Sequence, residues 1–446
     1  MNHSPSQVRA LRSDLIILLS QACELEHSVV CSLFYSACSL KRSLGEGITA
    51  RQLELTERWS AELFEVALGK LLQFTQVWNL FASVGCNPYH WRPNFPIPAN
   101  YYPTNLPIEL LPFGPVALDR FLQSEVPDWS QEPPGVGQHS FGDSSRPAPS
   151  YRSIAQLYSI VYEIFELIPE EELLIGNQDK QVSFMSAGLS SLVPVADRVS
   201  AFQAIDLLRG GRASSDDSPN VRPGSSLNRS HQYDVLLRLE EEYRAEQRLA
   251  KQTGERFDLV RDVLENPVLA KGVDYRVPII TQPQFDRVIV GRLIQDPYSR
   301  EVALLFEQVY AVILGLLQYV FRTNSHDSFE FQSFSETSEK LISRVLKPLA
   351  ESLVLLPAGE AWGRQTAGPT FGMSRYTPLH PSPKIALKTV ESRLRELILS
   401  AVNLERDKRV PTQLTVARQH LEDLLTGLRE ERAASAVEGN LDTFSG

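Results

Sequence analysis

The sequence predicts an all-α protein: an antiparallel four-helix bundle with an additional C-terminal helical layer. Three observations carry that expectation. Apolar residues recur at 3.6-residue spacing over long stretches. Alternation of the strand type is scarce, and glycines or polar loops punctuate the stretches at lengths that suit helical hairpins.

The elements follow in chain order. Leu11, Leu15, Leu18, Leu19 and Ala22 begin an apolar stripe that Leu25, Val29, Leu33 and Ala37 continue, so one helix is expected from Ser6 to about Ser43. Gly45 and Gly47 end it, and Thr49 opens a second helix that closes at Gly85. Residues 87–115 are dense in proline and aromatics, which reads as an extended, packed connection. A short helix, VALDRFLQSE, follows, then a polar Pro/Gly/Ser-rich loop over 129–150. A third bundle helix spans Ser153 to Ile168. The fourth is interrupted: Val195 to Leu208, a break at Gly210-Gly211, and a resumption at SHQYD.

Beyond about residue 270 the expected elements form a second layer. Arg300–Phe321 is apolar nearly all round and should be buried. Phe334–Pro357 is helical with a kink at Pro348. After a loop over Gly359–Pro383, Ile385–Glu405 and Pro411–Ala433 are amphipathic helices. The expected division is a bundle over 1–265 and an extension over 266–446 packed on it.

Composition bounds the function. With 43% apolar residues the chain can bury a sizeable core. A net charge of −10 argues against a nucleic-acid partner. None of the four cysteines lies in a C-x-x-C pair, against both a disulfide scaffold and a thiolate zinc site; Cys31 and Cys38, seven apart, read as packing residues. No uninterrupted apolar run reaches the ~18 residues of a membrane span, and the first residues lack a signal-peptide core. The expectation is a soluble, cytoplasmic protein with no membrane or nucleic-acid partner.

Glu26 lies one residue off the first apolar stripe. A carboxylate on a bundle helix is raw material for a dimetal site, which takes one Glu from each of two helices and a Glu-x-x-His pair from each of the others. His27 points about 100° away around the helix from Glu26, against joint ligation. His90, His326 and His380, in Pro- or Ser-flanked loops, are expected to be exposed or capping.

The ordered segments ACELEHSVVCSLFYSACSL, NLFASVGCNP, RPNFP, SIAQLYSIVYEIFELIP and SHQYD, followed by QDPYSREVALLFEQVYAVILGLL, VLKPLAESLVLLP and AGPTFGMSRYTPLHPSPKIA, resemble the ferritin-like family of iminophenyl-pyruvate dimer synthases. The resemblance covers roughly residues 10–405. Characterised members act in violacein and indolocarbazole biosynthesis and resemble oxidative enzymes that couple two tryptophan-derived imines. They carry a large additional domain with no counterpart in these residues. The resemblance places the first-helix metal ligand on Glu26 and a histidine ligand on His231, both kept. It places the Glu-x-x-His pair on Lys70 and Gln73, the third-helix glutamate on Gln156, and a further ligand glutamate on Arg212.

Glu26, Lys70 and Arg212 together carry a net positive charge where the family's glutamates would be negative. A unit charge ~4 Å from another, at an effective dielectric of ~20, is worth about 4 kcal/mol, so Lys70 or Arg212 would repel a divalent ion. The expectation is a metal-free centre with no cofactor, in which these residues form either a salt-bridge network or a pocket for a small organic anion. Relocated ligands at Glu62 and Glu65 read better as a solvated face beside Arg58. The expected function is a non-catalytic or accessory relative in specialised metabolism, partnered by an organic anion or a pathway enzyme. The alternative is an oxidative enzyme acting on an amino-acid-derived imine or keto acid, with iron or another divalent metal at Glu26 and His231.

Overall fold

The computed structural model describes residues 4–126, 150–183, 192–209, 231–270, 275–276, 288–322, 329–373 and 378–442. The chain is all-α and divides into two compact units, the first built from the described residues up to Arg261 together with 275–276 and 288–291, the second from 262–270 and from Arg292 onward.

The first unit is built on a long hairpin. Helix α1 (Pro5–Ser39) is started by Ser4, whose hydroxyl accepts from the Gln7 amide while the Gln7 side chain accepts from Ser4 N. The same reciprocal cap, Thr49 with Gln52, starts α2 (Ala50–Ser83). Between them Gly47 adopts φ 79°, a left-handed conformation that suits glycine. Helix α1 stops at Ser39 rather than Ser43, because the chain turns there to pair with 259–261: Lys41 N donates to Leu259 O, and Arg261 N to Ser39 O.

Two bundle positions are each shared by two helices. Helices α3 (Pro115–Ser124) and α4 (Ile154–Leu167) both lie against α1. After the single turn α5 (Glu170–Leu173), α6 (Arg198–Leu208) packs on α4 and α2, while α7 (His231–Thr253) packs on α3 and α2. The result is two continuous and two interrupted bundle positions. Apolar stripes explain it: Leu11, Leu15, Leu18, Leu19, Leu33, Trp59, Leu63, Phe74, Leu157, Val161, Ile205 and Leu239 are all buried.

Amide side chains on α2 also hold the segment before α6. Asn79 accepts from Val182 N at 2.9 Å and donates to Val182 O at 2.8 Å, and Gln76 treats the Val193 peptide in the same way, both bonds at 2.8 Å. Each amide stands in for a neighbouring strand. A two-stranded antiparallel pair, Tyr275–Arg276 with Val288–Ile289, also belongs to this unit.

In the second unit, Pro267–Val268 pairs in parallel with Arg292–Leu293. Helix α8 (Pro297–Val320), capped by Asp296, packs on α9 (Phe329–Leu341) and α11 (Pro383–Leu404). Helix α9 continues through a five-residue π turn, Ile342–Leu346, into α10 (Lys347–Leu353). That turn is how the helix accommodates Pro348, whose ring would clash with the carbonyl four residues back. Helix α12 (Thr412–Asp442) lies on α10 and α11. Arg395 and Arg432 both pair with the buried carboxylate of Glu391, tying α11 to α12.

One sequence expectation changes here. Helices α1 and α8 are long and apolar enough to cross a membrane once two charges per window are tolerated, but 72% and 78% of those windows are buried inside the chain. That burial is the pattern of core helices.

Gly176 packs so closely on the end of α2 that a Cβ there would fall 1.7 Å from Ala82 O. Gly176→Ala is expected to lower stability by about 1–3 kcal/mol, as overpacking against backbone does, read as a reduced urea midpoint with an unchanged slope.

Candidate functional site

The centre of the first unit holds a buried charge cluster. Leu25 and Val29 face the core, and Glu26 between them is also fully buried. Across the hairpin, Lys70 sits on α2 between the buried Ala67 and Leu71 and is itself 1% exposed. Its Nζ lies 3.0 Å from Glu26 Oε2 and 2.8 Å from Glu125 Oε1, and donates to Gln73 Oε1 at 2.8 Å. Gln73 Oε1 accepts a hydrogen bond from the ammonium, while Glu26 Oε2 and Glu125 Oε1 meet it as ion pairs. The Tyr158 hydroxyl on α4 donates to Glu26 Oε1 at 3.0 Å, so both Glu26 oxygens are engaged.

Burial alone would push the Lys70 pKa down, but Glu125 and Glu26 more than reverse this and the net direction is upward. Lys70 is therefore charged at neutral pH. Burial raises the Glu26 carboxyl, with Glu125 adding to the rise while Lys70 and Tyr158 oppose it. One lysine balances only one of the two carboxylates.

A second cluster is built on Glu24 and His27, which flank Glu26 on α1. His27, buried and stacked on Phe74 with ring centroids 4.9 Å apart, has Nδ1 3.0 Å from the His90 carbonyl, which makes Nδ1 the protonated nitrogen. Burial, then the nearby Arg92, pushes its pKa well below the ordinary histidine value. Glu24 accepts from the Tyr89 and Tyr102 hydroxyls, each at 2.8 Å. His90 is buried, not exposed as its flanking residues suggest, because the proline-rich connection packs over α1. His380 matches its expectation: it is exposed and its Nδ1 accepts from Ser382 N. His326 lies outside the described residues.

Of the six residues singled out from the sequence, the structure brings Glu26, Lys70 and Gln73 together. Gln156 is buried, but its Oε1 accepts from Arg152 N at the start of α4, and among the described residues no hydrogen bond joins it to the cluster. His231 is exposed at the first residue of α7 and makes no hydrogen bond or ion pair with Glu26 among the described residues. Its neighbour Gln232 packs where a Cβ on Gly69 would fall. Arg212 lies outside the described residues. Glu62 pairs with Arg58 and Arg238, as a solvated face would.

Glu125 and Tyr158 went unnoticed in the sequence although a signal existed for each. Glu125 falls four residues after Phe121 and seven after Leu118, on the buried face of α3, and Tyr158 follows Ile154 by four on α4.

The donor set does not fit a dinuclear metal centre. Glu26, Glu125 and Lys70 sum to −1, and the ammonium stands where the two carboxylates converge. A divalent ion ~4 Å from that ammonium would be repelled by roughly 8 kcal/mol at an effective dielectric of ~20. Among the described residues no group of three or more His, Cys, Asp or Glu side chains is placed to hold a metal.

The fold is a helical bundle of the ferritin-like class. Residues 19–224 match the family model described as Ferritin-like. The chain is 24% identical over 423 residues to dichlorochromopyrrolate synthase of Lentzea aerocolonigenes, covering 87% of this chain and 39% of that protein. It is likewise 24% identical over 428 residues to 2-imino-3-(indol-3-yl)propanoate dimerase of Chromobacterium violaceum, covering 90% of this chain and 38% of that one. The chain is thus similar to the ferritin-like family model over residues 19–224 and to dimer synthases over most of its own length, and spans under two-fifths of the length of those relatives. A solved ferritin-like protein from Caulobacter vibrioides superposes with a TM-score of 0.42 at 15% identity, over 82% of this chain and 98% of that one.

Two predictions follow from the geometry. Lys70→Met strands two buried carboxylates and is expected to cost about 3–5 kcal/mol in urea unfolding; adding Glu26→Gln and Glu125→Gln should recover part of it. For His27, a depressed folded pKa means its stabilisation is full above the ordinary value of 6.5 and is lost as pH falls from there toward the folded value. His27→Phe should therefore flatten the fall in melting temperature below about pH 6.5, measured against wild type.

Proposed function

We propose that this protein is a metal-free, non-catalytic relative of the dimer synthases that serves as an accessory component in specialised metabolism, in the cytoplasm. One observation carries the reading: Lys70 Nζ lies between Glu26 and Glu125, at 3.0 and 2.8 Å, in the middle of the bundle. Oxidative coupling by a metal centre needs carboxylate lone pairs aimed at the ion. Here the lone pairs of Glu26 are taken by an ammonium and a phenol. Lys70 is paired inside the cluster with two carboxylates and an amide, which favours a salt-bridge core over an organic-anion pocket at this spot. The partner is then a pathway enzyme engaged through the protein's surface.

One relative is named a dichlorochromopyrrolate synthase and the other a 2-imino-3-(indol-3-yl)propanoate dimerase. A chain with the same bundle and a lysine-locked centre retains the scaffold for recognition without the redox metal. Elemental analysis of protein purified without chelators is expected to find far fewer than one iron, manganese or zinc per chain. Two tightly bound metal ions per chain, with dioxygen uptake on adding an aromatic imine, would overturn the proposal.

A further inference from the structure

The arrangement around Lys70 is that of a cation in a coordination shell. Oxygens from α1, from the end of α3 and from the next turn of α2 face one point, at 3.0, 2.8 and 2.8 Å. The point is shut off from solvent: the Lys70, Glu26 and Glu125 side chains are 1%, 0% and 7% exposed. The second oxygen of Glu26 is steadied by Tyr158, the support from outside the shell that metal-binding carboxylates use.

We infer that the Lys70 ammonium is a tethered substitute for a bound cation, and that Glu26, Glu125 and Gln73 form a mononuclear divalent-cation site uncovered by removing that one charge. The inference rests on the metal-free reading of the native centre, but it concerns a different oxygen set from the one the sequence suggested. Glu125 comes from the short helix α3, and neither Gln156 nor His231 takes part.

The chemistry selects the ion. All three donors are oxygens, two of them carboxylate, which suits a hard ion such as Mn²⁺ or Mg²⁺ and not a thiolate- or imidazole-seeking one. With the ammonium gone, the two carboxylates carry −2 inside an apolar shell, which a single divalent ion neutralises. Such ions bind oxygen at roughly 2.0–2.6 Å. The side chains therefore need to close by roughly 0.2–1.0 Å each, within reach of rotamer adjustment.

The probe is Mn²⁺, added to the full chain and read by the loss of its free-ion paramagnetic resonance signal and by thermal shift. Lys70→Ala is expected to take up about one Mn²⁺ per chain and to gain at least about 3 °C in melting temperature at saturation. Lys70→Ala with Glu125→Gln, and Lys70→Ala with Glu26→Gln, are expected to lose both effects. Wild type is expected to show neither. If Lys70→Ala is unfolded without metal, recovery of its helical circular dichroism by Mn²⁺ counts as binding and no recovery overturns the inference. A folded Lys70→Ala that ignores Mn²⁺, or that binds it equally well without Glu125, also overturns it, while leaving the metal-free reading of wild type intact. Uptake by wild type itself, abolished by Glu125→Gln, would defeat both.

Discussion

Taking an ammonium out of water costs several kcal/mol even after relaxation, and the centre of this bundle is arranged around meeting that cost. Lys70 has no route to solvent, so every proton on Nζ needs an acceptor within the core. The acceptors come from three places: Glu26 on α1, Glu125 at the end of α3, and Gln73 one turn along α2. Satisfying them fixes the relative register of α1 and α2 and pins the last turn of α3 against the hairpin. A slip of one residue along either long helix would rotate Glu26 or Lys70 by about 100° and bury an unpaired charge.

The same rule governs the other buried acids, each solved with different partners. Glu24 uses two tyrosine hydroxyls from the proline-rich connection. In the second unit Glu307 accepts from the Thr370 hydroxyl, with Gly372 packed so close that a Cβ there would meet the carboxylate. Glu391 is held by two arginines. Buried carboxylates are tolerated wherever a donor reaches them, and none of these sets requires a metal ion to balance it. At the Lys70 centre a lysine does what a bound ion does elsewhere, keeping two acids from repelling one another.

The bundle and its polar centre rest on different interactions. The fold draws its stability from apolar stripes that run the length of α1, α2 and α4 and bury leucine, valine, phenylalanine and tryptophan. The polar centre needs only internal charge balance. Changing the polar groups at the centre leaves those stripes untouched, so a scaffold can persist while its centre changes.

The helices were legible in the sequence because their signals are local. Periodicity marked α1, α2, α4 and α8, and caps or glycines marked most of their ends. The C-terminal end of α1 was misplaced by four residues, since pairing with 259–261, and no local signal, ends it. Glu26 and Lys70 could be singled out, but their meeting is a matter of register between two helices, and Gln73 joins them only because it lies one turn beyond Lys70. Glu125, Tyr158 and the burial of His90 depend on how α3, α4 and the proline-rich connection close over the hairpin. Residue type and spacing along one stretch of chain determined the elements and placed a positive charge, Lys70, on the second long helix. Only the tertiary structure decided which oxygens surround that charge, because desolvation and hydrogen bonding act between segments up to a hundred residues apart and leave no mark on the pattern of any one of them.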